Sequence, residues 1–354
     1  MNGQILQGFK QVIKQYIPIW ALIGLSTSFT AFAGTYNPPE EQKPCDLLCT
    51  QGIHGGFYVG VTGVYAKPSE SGIGLATHSD QYTSSNGLTT SKSTPFEPSN
   101  SGGIGAKVGY DFGTSANSLE FDYFYFNNTT KDTADFKDNP SSFASMFFPN
   151  IMVSNPASFG ITIHSKLEYI LNQYDLWLAH TFGSPVTGFS FKPAIGVRYA
   201  SLSHDLTFDV PGAVKSDFDG IGPEIGFDAH YTLGHGFGIL GHFDDALMAS
   251  RVNGSSYIEV EDFGIHSAFK APDNNGVSNA VTGRVGADYQ YVFNNGSSIA
   301  LEAGYQAMTY ADAFTIIQGN VASSVTPTVG QQITTTNSDD FSLRGPYLSL
   351  RYHV

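Results

Sequence analysis

The stretch from Ser101 to Asn127 restricts the fold more than any other part of the chain. It reads Gly-Gly-Ile-Gly-Ala-Lys-Val-Gly-Tyr-Asp-Phe, then Gly-Thr-Ser-Ala-Asn, then Ser-Leu-Glu-Phe-Asp-Tyr-Phe-Tyr-Phe. Ile104, Ala106, Val108, Tyr110 and Phe112 occupy one parity, with Gly103, Gly105, Lys107, Gly109 and Asp111 on the other. After the turn, Leu119, Phe121, Tyr123 and Tyr125 alternate with Glu120, Asp122 and Phe124. Side chains alternate faces along a strand, so this is a hairpin with one apolar face and one small, charged face. Glycine on the polar face and tyrosine near the strand ends fit a membrane barrel, with lipid outside and a wet or tightly filled lumen.

Export is written at the start of the chain. Lys10 and Lys14 precede the only sustained apolar run, 17–33, which closes with Ala31-Phe32-Ala33. Residues 1–33 are therefore expected to be a signal peptide, 34–55 a periplasmic leader, and 56–354 the barrel. No later segment is apolar enough to span as a helix, and only helices and closed barrels satisfy backbone groups in lipid. Aromatic and charged residues each make up 14% of the chain, with 39 glycines, a balance that suits a membrane barrel and argues against a disordered secreted chain. Removing Lys10 and Lys14 takes the formal charge from −14 to −16, which argues against nucleic acid or anionic lipid headgroups as partners. Cys45 and Cys49, both in the leader, are expected to close a small loop or to bridge to a neighbouring chain.

Eight further alternating segments complete the pass. Strand one is Phe57–Ala66, strands two and three form the hairpin above, and strand four lies within Ser165–Phe182. Strand five is Gly188–Leu202, six Asp219–Tyr231, seven Phe237 to about Ser250, eight Ala280–Phe293, nine Ser298–Tyr310, and the tenth ends the chain. The alternation slips between Leu171 and Tyr174, and again at Gly345-Pro346, and each slip predicts a bulge. Pro193 on the lipid parity predicts irregular pairing. Connections are expected to be long after strands one, three, five, seven and nine, and short after the even ones. Tyr257–Phe263 has strand composition and would supply a further hairpin. The expected fold is all-β: a transmembrane antiparallel up-and-down β-barrel of about ten strands, between limits of eight and twelve, with long extracellular loops and short periplasmic turns.

Several segments resemble the Legionella major outer-membrane protein family. They are Gly55-Gly56-Phe57-Tyr58-Val59-Gly60-Val61-Thr62-Gly63-Val64-Tyr65, Leu171-Asn172-Gln173-Tyr174-Asp175-Leu176, Gly220-Ile221-Gly222-Pro223-Glu224-Ile225-Gly226, and the Gly-Pro-Tyr-Leu-Ser-Leu-Arg-Tyr terminus. The resemblance covers nearly the whole mature chain. It implies a pore-forming, surface-exposed barrel of a Gram-negative outer membrane, with cysteines that cross-link subunits. Two cysteines, both before strand one, depart from that pattern and put a covalent oligomer in doubt. The aromatic-rich last strand looks like the signal read by the barrel-assembly machinery, although it ends in Val354.

Lumen-parity charges are Lys107, Glu120, Asp122, Lys192, Arg198, Glu224, Asp228, Arg284, Asp288, Glu302 and Arg351. They predict either a solute-screening channel or a salt-bridge network that fills a narrow barrel. The leading expectation is passive diffusion of small hydrophilic solutes with a mild cation preference. Against it stands a non-conducting surface anchor whose Ser/Thr/Asn/Gly-rich loops meet host molecules or lipopolysaccharide. Outer-membrane lipids are the expected surroundings, and a homo-oligomer is a candidate state. A third reading is a surface protease with Asp–His pairs at the rim, for which His204-Asp205 and His242-Phe243-Asp244-Asp245 are the candidates. No nucleophile motif, cofactor-binding motif or metal-ligand spacing stands out, so neither an enzyme nor a cofactor is expected.

Overall fold

The computed structural model describes residues 55–70, 80–83, 89–92, 97–113, 115–135, 144–146, 151–153, 162–184, 188–209, 212–260, 265–319 and 334–354. The expected signal peptide and almost all of the leader, with Cys45 and Cys49, lie outside them. Ten long strands form one ring: β1 (Gly56–Glu70), β2 (Ser101–Phe112), β3 (Asn117–Asp135), β4 (Thr162–His180), β5 (Phe189–Phe208), β6 (Gly212–Gly234), β7 (Phe237–Val260), β8 (Asn274–Val292), β9 (Ser298–Gly319) and β10 (Thr334–His353). Each pairs antiparallel with its sequence neighbours, and β1 pairs with β10, which removes every free edge from the ring. Among the described residues no helix is long and apolar enough to cross a membrane.

The ring is strongly staggered. Paired residues lead from Ile195 through Leu178, Leu119 and Tyr110 to Phe57. In the other direction they lead through Ile225, Asp245, Val281, Thr309 and Ser342 to Ser69. The two paths meet β1 twelve residues apart (69 less 57), the offset a tilted, closed barrel requires.

Alternation gives the faces their chemistry. Val59, Val108 and Phe121 lie side by side on neighbouring strands and are all exposed, as a lipid belt demands. On β5 the outward residues are Ile195, Val197 and Tyr199, followed by Ser201, Ser203 and Asp205. The hydrocarbon therefore ends near Tyr199, and the upper half of the strand stands in water beyond it. Val108→Arg is expected to cost about 2–4 kcal/mol, since it places a charge near mid-bilayer. Gln290→Arg, on the lumen parity at the exposed lower mouth, is expected to stay within about 0.5 kcal/mol. Urea titrations of the reconstituted barrel compare them, and equal losses would show the facing to be misassigned.

The structure corrects three expectations. Neither β4 nor β10 carries the expected bulge: the pairings of β4 with β3 and β5, and of β10 with β1, keep one register throughout. The apolar residues that seemed out of phase, Leu171, Phe341 and Leu343, point into the lumen and are fully buried. The connection after strand five is short, because β5 and β6 run further than expected and only 209–211 separate them. Pairing is indeed irregular near Pro193: β5 pairs with β4 from Ala194 onward and with the separate strand Phe182–Ser184 up to Phe191. The extra hairpin near Tyr257 also exists. It is the top of β7 paired with Ile265–Lys270 and adds no stave to the ring. The lower turn between β6 and β7 is tight, with His235 and Gly236 both at positive φ (54° and 85°), as a two-residue hairpin loop requires.

The filled lumen as candidate functional site

Two layers occupy the inside of the ring. The lower one is ionic. Glu120 on β3 accepts hydrogen bonds from the Tyr58 hydroxyl and the Lys107 ammonium, each at 2.5 Å, and Lys192 lies 3.6 Å from it. Gly109 makes this possible: a Cβ there would meet the Tyr58 ring at 2.2 Å, so only glycine lets the phenol lie across β2. Lys107 also lies 3.4 Å from Asp122.

One row higher, Lys107, Asp122, Asp175 and Arg198 follow one another across β2, β3, β4 and β5. Arg198, only 1% exposed, is the hub. Its Nε donates to Asp175 at 2.8 Å, while Nη2 lies 3.2 Å from Glu224 and Nη1 2.9 Å from Asp244. His242 bridges Asp228 (2.6 Å) and Asp244 (2.8 Å), and Tyr310 donates to Gln173, whose amide donates to Asp175. A guanidinium that faces three carboxylates, all taken from water, forms a network whose members depend on one another.

The upper layer is apolar. Phe126, Leu167, Tyr169, Leu171, Leu202, Leu206, Phe218, Phe314, Phe341 and Leu343 are fully buried inside the strands. Tyr169 packs on His204 and Phe341 at ring-centroid distances of 5.4 and 5.5 Å, and Phe314 packs on His204 at 5.2 Å. Tyr169 donates to Glu70 at the top of β1. These contacts join β1, β4, β5, β9 and β10 across the lumen, so the layer is a core.

His204 lies in the part of β5 beyond the hydrocarbon, between outward-facing Ser203 and Asp205. Buried among rings with no partner for Nε2, its imidazole is pushed down to about 4 by desolvation. The unfolded chain keeps the ordinary value near 6.5, so between these values the unfolded state binds the extra proton. This contribution is intact above pH 6.5 and falls by roughly 3 kcal/mol as pH drops to 4. His204→Phe is expected to flatten that part of a stability–pH profile measured by urea titration.

The sequence-selected charges separate into groups. Lys107, Glu120, Asp122 and Lys192 form one cluster, and Arg198 and Glu224 belong to the next. Asp228 pairs with His242, Asp288 with His230 at 2.9 Å, and Glu302 with Tyr347 at 2.5 Å. Arg284 is half-buried and Arg351 exposed toward the lower mouth; neither makes an ion pair among the described residues. Of the protease candidates, His242 and Asp244 meet inside the lumen and the others do not join them. His204 sits in the apolar layer, Asp205 faces outward on Lys215, and Asp245 faces outward as the acceptor for Asn279. Sequence reading placed Tyr58 inward, as found, but missed Gln173, Asp175, Tyr310 and Tyr347 as lumen groups. The strand-four bulge it assumed concealed Gln173 and Asp175, which keep the parity of Leu171.

A closed antiparallel barrel with an apolar outer belt, whose first strand begins and last strand ends on the short-turn side, is an outer-membrane protein. The family model described as the Legionella pneumophila major outer membrane protein precursor matches residues 53–354, and the chain belongs to that family. No curated protein matches it. Among solved structures it resembles the outer membrane protease OmpT from Escherichia coli, with 11% identity, TM-score 0.44, and 88% of this chain and 99% of that one covered. A major outer membrane protein from Thermus thermophilus also matches, with 11% identity, TM-score 0.34, and coverage of 85% and 100%. So does the toluene transporter TodX of P. putida, with 8% identity, TM-score 0.22, and coverage of 84% and 89%.

Proposed function

We propose that this barrel is sealed along its axis and works as a membrane-anchored surface platform, with contacts made by its long outer connections. The observation that carries this reading is burial inside the lumen at two heights: Arg198 at 1% and Phe341 at 0% exposure. A water-filled channel would leave lumen side chains wet. The connections that end the barrel away from the short turns supply the platform, since 30 residues separate β1 from β2 and 26 separate β3 from β4. His230, His242 and His353 are each held by a lumen carboxylate and His204 is packed among rings, which supports a non-enzymatic role.

The second reading is passive diffusion of small hydrophilic solutes with a mild cation preference. Solvent reaches Arg351 and part of Asp228, Arg284 and Glu302, so the lower mouth is a wet vestibule. The spanning part of the lumen also holds Asp111, Glu120, Asp122, Asp175, Glu224, Asp228, Asp244, Asp288 and Glu302 against Lys107, Lys192, Arg198, Arg284 and Arg351. Conduction would require both inner layers to part. Planar bilayers decide between the readings. Folded protein should insert silently, whereas stepwise conductance would overturn the sealed reading. Reversal potential in a salt gradient would then test the cation preference.

A further inference from the structure

The outer surface of the ring is not uniform just above the hydrocarbon. The outward residue there is neutral or acidic on β3 (Asn127), β4 (Asn172), β5 (Ser201) and β6 (Asp219), and on β7 Arg251 lies beside Asp219 and is ion-paired with Asp273. The seam where the first and last strands meet is different. Lys67 of β1 is paired directly with Arg344 of β10, and both point outward. Ala307 of β9 lies beside Arg344 and adds almost no bulk.

The rows below and above grade from oil to water. Two residues below Lys67 is Tyr65, 58% exposed; Pro346 lies two below Arg344, paired with Tyr305, 49% exposed. Two residues above are Ser69, Ser342 and Thr309, the last two joined by a 3.0 Å hydroxyl contact. Lys67 is held by Glu97, 2.9 Å away, but Glu97 is itself 71% exposed and free to swing aside. Arg344 is exposed and has no carboxylate partner among the described residues. Like charges directly opposite on adjacent strands are unfavourable, and a shared anion removes that penalty. Guanidinium binds phosphate through two parallel N–H donors, and a neighbouring ammonium adds a point charge.

We propose that Lys67 and Arg344 dock a phosphate of an anionic glycolipid of the outer leaflet, with its acyl chains against Tyr65, Pro346 and Tyr305. The height argues for a lipid: the cations stand one row above the aromatic girdle, where a headgroup phosphate sits when its chains lie in the belt. In a chain of net charge −14, a cation pair at the lipid rim is otherwise unexplained. The inference holds whether or not the lumen conducts.

Native mass spectrometry of the full barrel in micelles tests it, with diphosphoryl lipid A as the probe and dephosphorylated lipid A as its control. The Lys67→Gln/Arg344→Gln variant, which touches no lumen group, should lose at least about tenfold in lipid affinity, the worth of one charge-assisted hydrogen bond. Lys67→Arg/Arg344→Lys should keep most of the binding, and unchanged heat-dependent gel mobility would confirm that each variant folds. Equal retention by wild type and the glutamine variant would overturn the site, as would equal binding of the dephosphorylated lipid. Displacement by inorganic phosphate at the concentration that works for the lipid itself would overturn the lipid as ligand.

Discussion

Arg198→Met is expected to cost about 3–5 kcal/mol of barrel stability, the loss that follows when one partner of a buried ion network is removed. Asp175, Glu224 and Asp244 would then share no guanidinium, and Glu224 has no other ion partner in this layer. Trp177 is the readout. It is the only tryptophan after residue 20, and its ring edge lies 3.1 Å from where a Cβ on Gly226 would be. Its emission during a urea titration follows this layer directly. Arg198→Met combined with Asp175→Asn and Glu224→Gln should regain a large part of the loss, because the uncompensated charges leave with the cation. If Arg198→Met unfolds within about 1 kcal/mol of the wild type, the layer is not what holds the lumen together.

Phe341→Ala is expected to destabilise the barrel by about 3–5 kcal/mol without producing a conductance. Phe341 is fully buried and touches Tyr169 across the lumen and Phe314 on the neighbouring strand, so truncation leaves a cavity lined by rings. Removing the same side chain from a water-filled pore would cost little and widen the passage. The Arg198 layer lies below the cavity and still closes the path. Urea titration and planar-bilayer recording on the same preparation separate the cases. A stable variant with stepwise conductance would show that the apolar residues are a pore lining.

The two strand positions that sequence reading interpreted as bulges explain both predictions. Along β4, Leu167, Tyr169 and Leu171 keep the parity of Gln173 and Asp175, and along β10, Phe341 and Leu343 keep that of Tyr347. The side of the strand does not change there; the environment on that side does. In the spanning half, lipid is outside and ions are inside. In the half beyond the membrane, water is outside and the lumen becomes the only place to bury apolar surface. A reading that follows apolarity therefore registers a phase slip where the lumen's contents change.

Strand existence, the alternation of faces, the even count of ten and the outer-membrane class were all legible in the chain. They rest on local rules: a period of two, turn residues between the ribbons, and the requirement that backbone groups in lipid pair internally. Whether the inside is open was decided only by the tertiary structure. Arg198 meets Asp175, Glu224 and Asp244, and Phe341 meets Tyr169, only when a closed ring with a twelve-residue stagger brings β4, β5, β6, β7 and β10 around one narrow axis. Parity along one strand says which way a side chain points, and the diameter and offset of the whole ring say what it meets there.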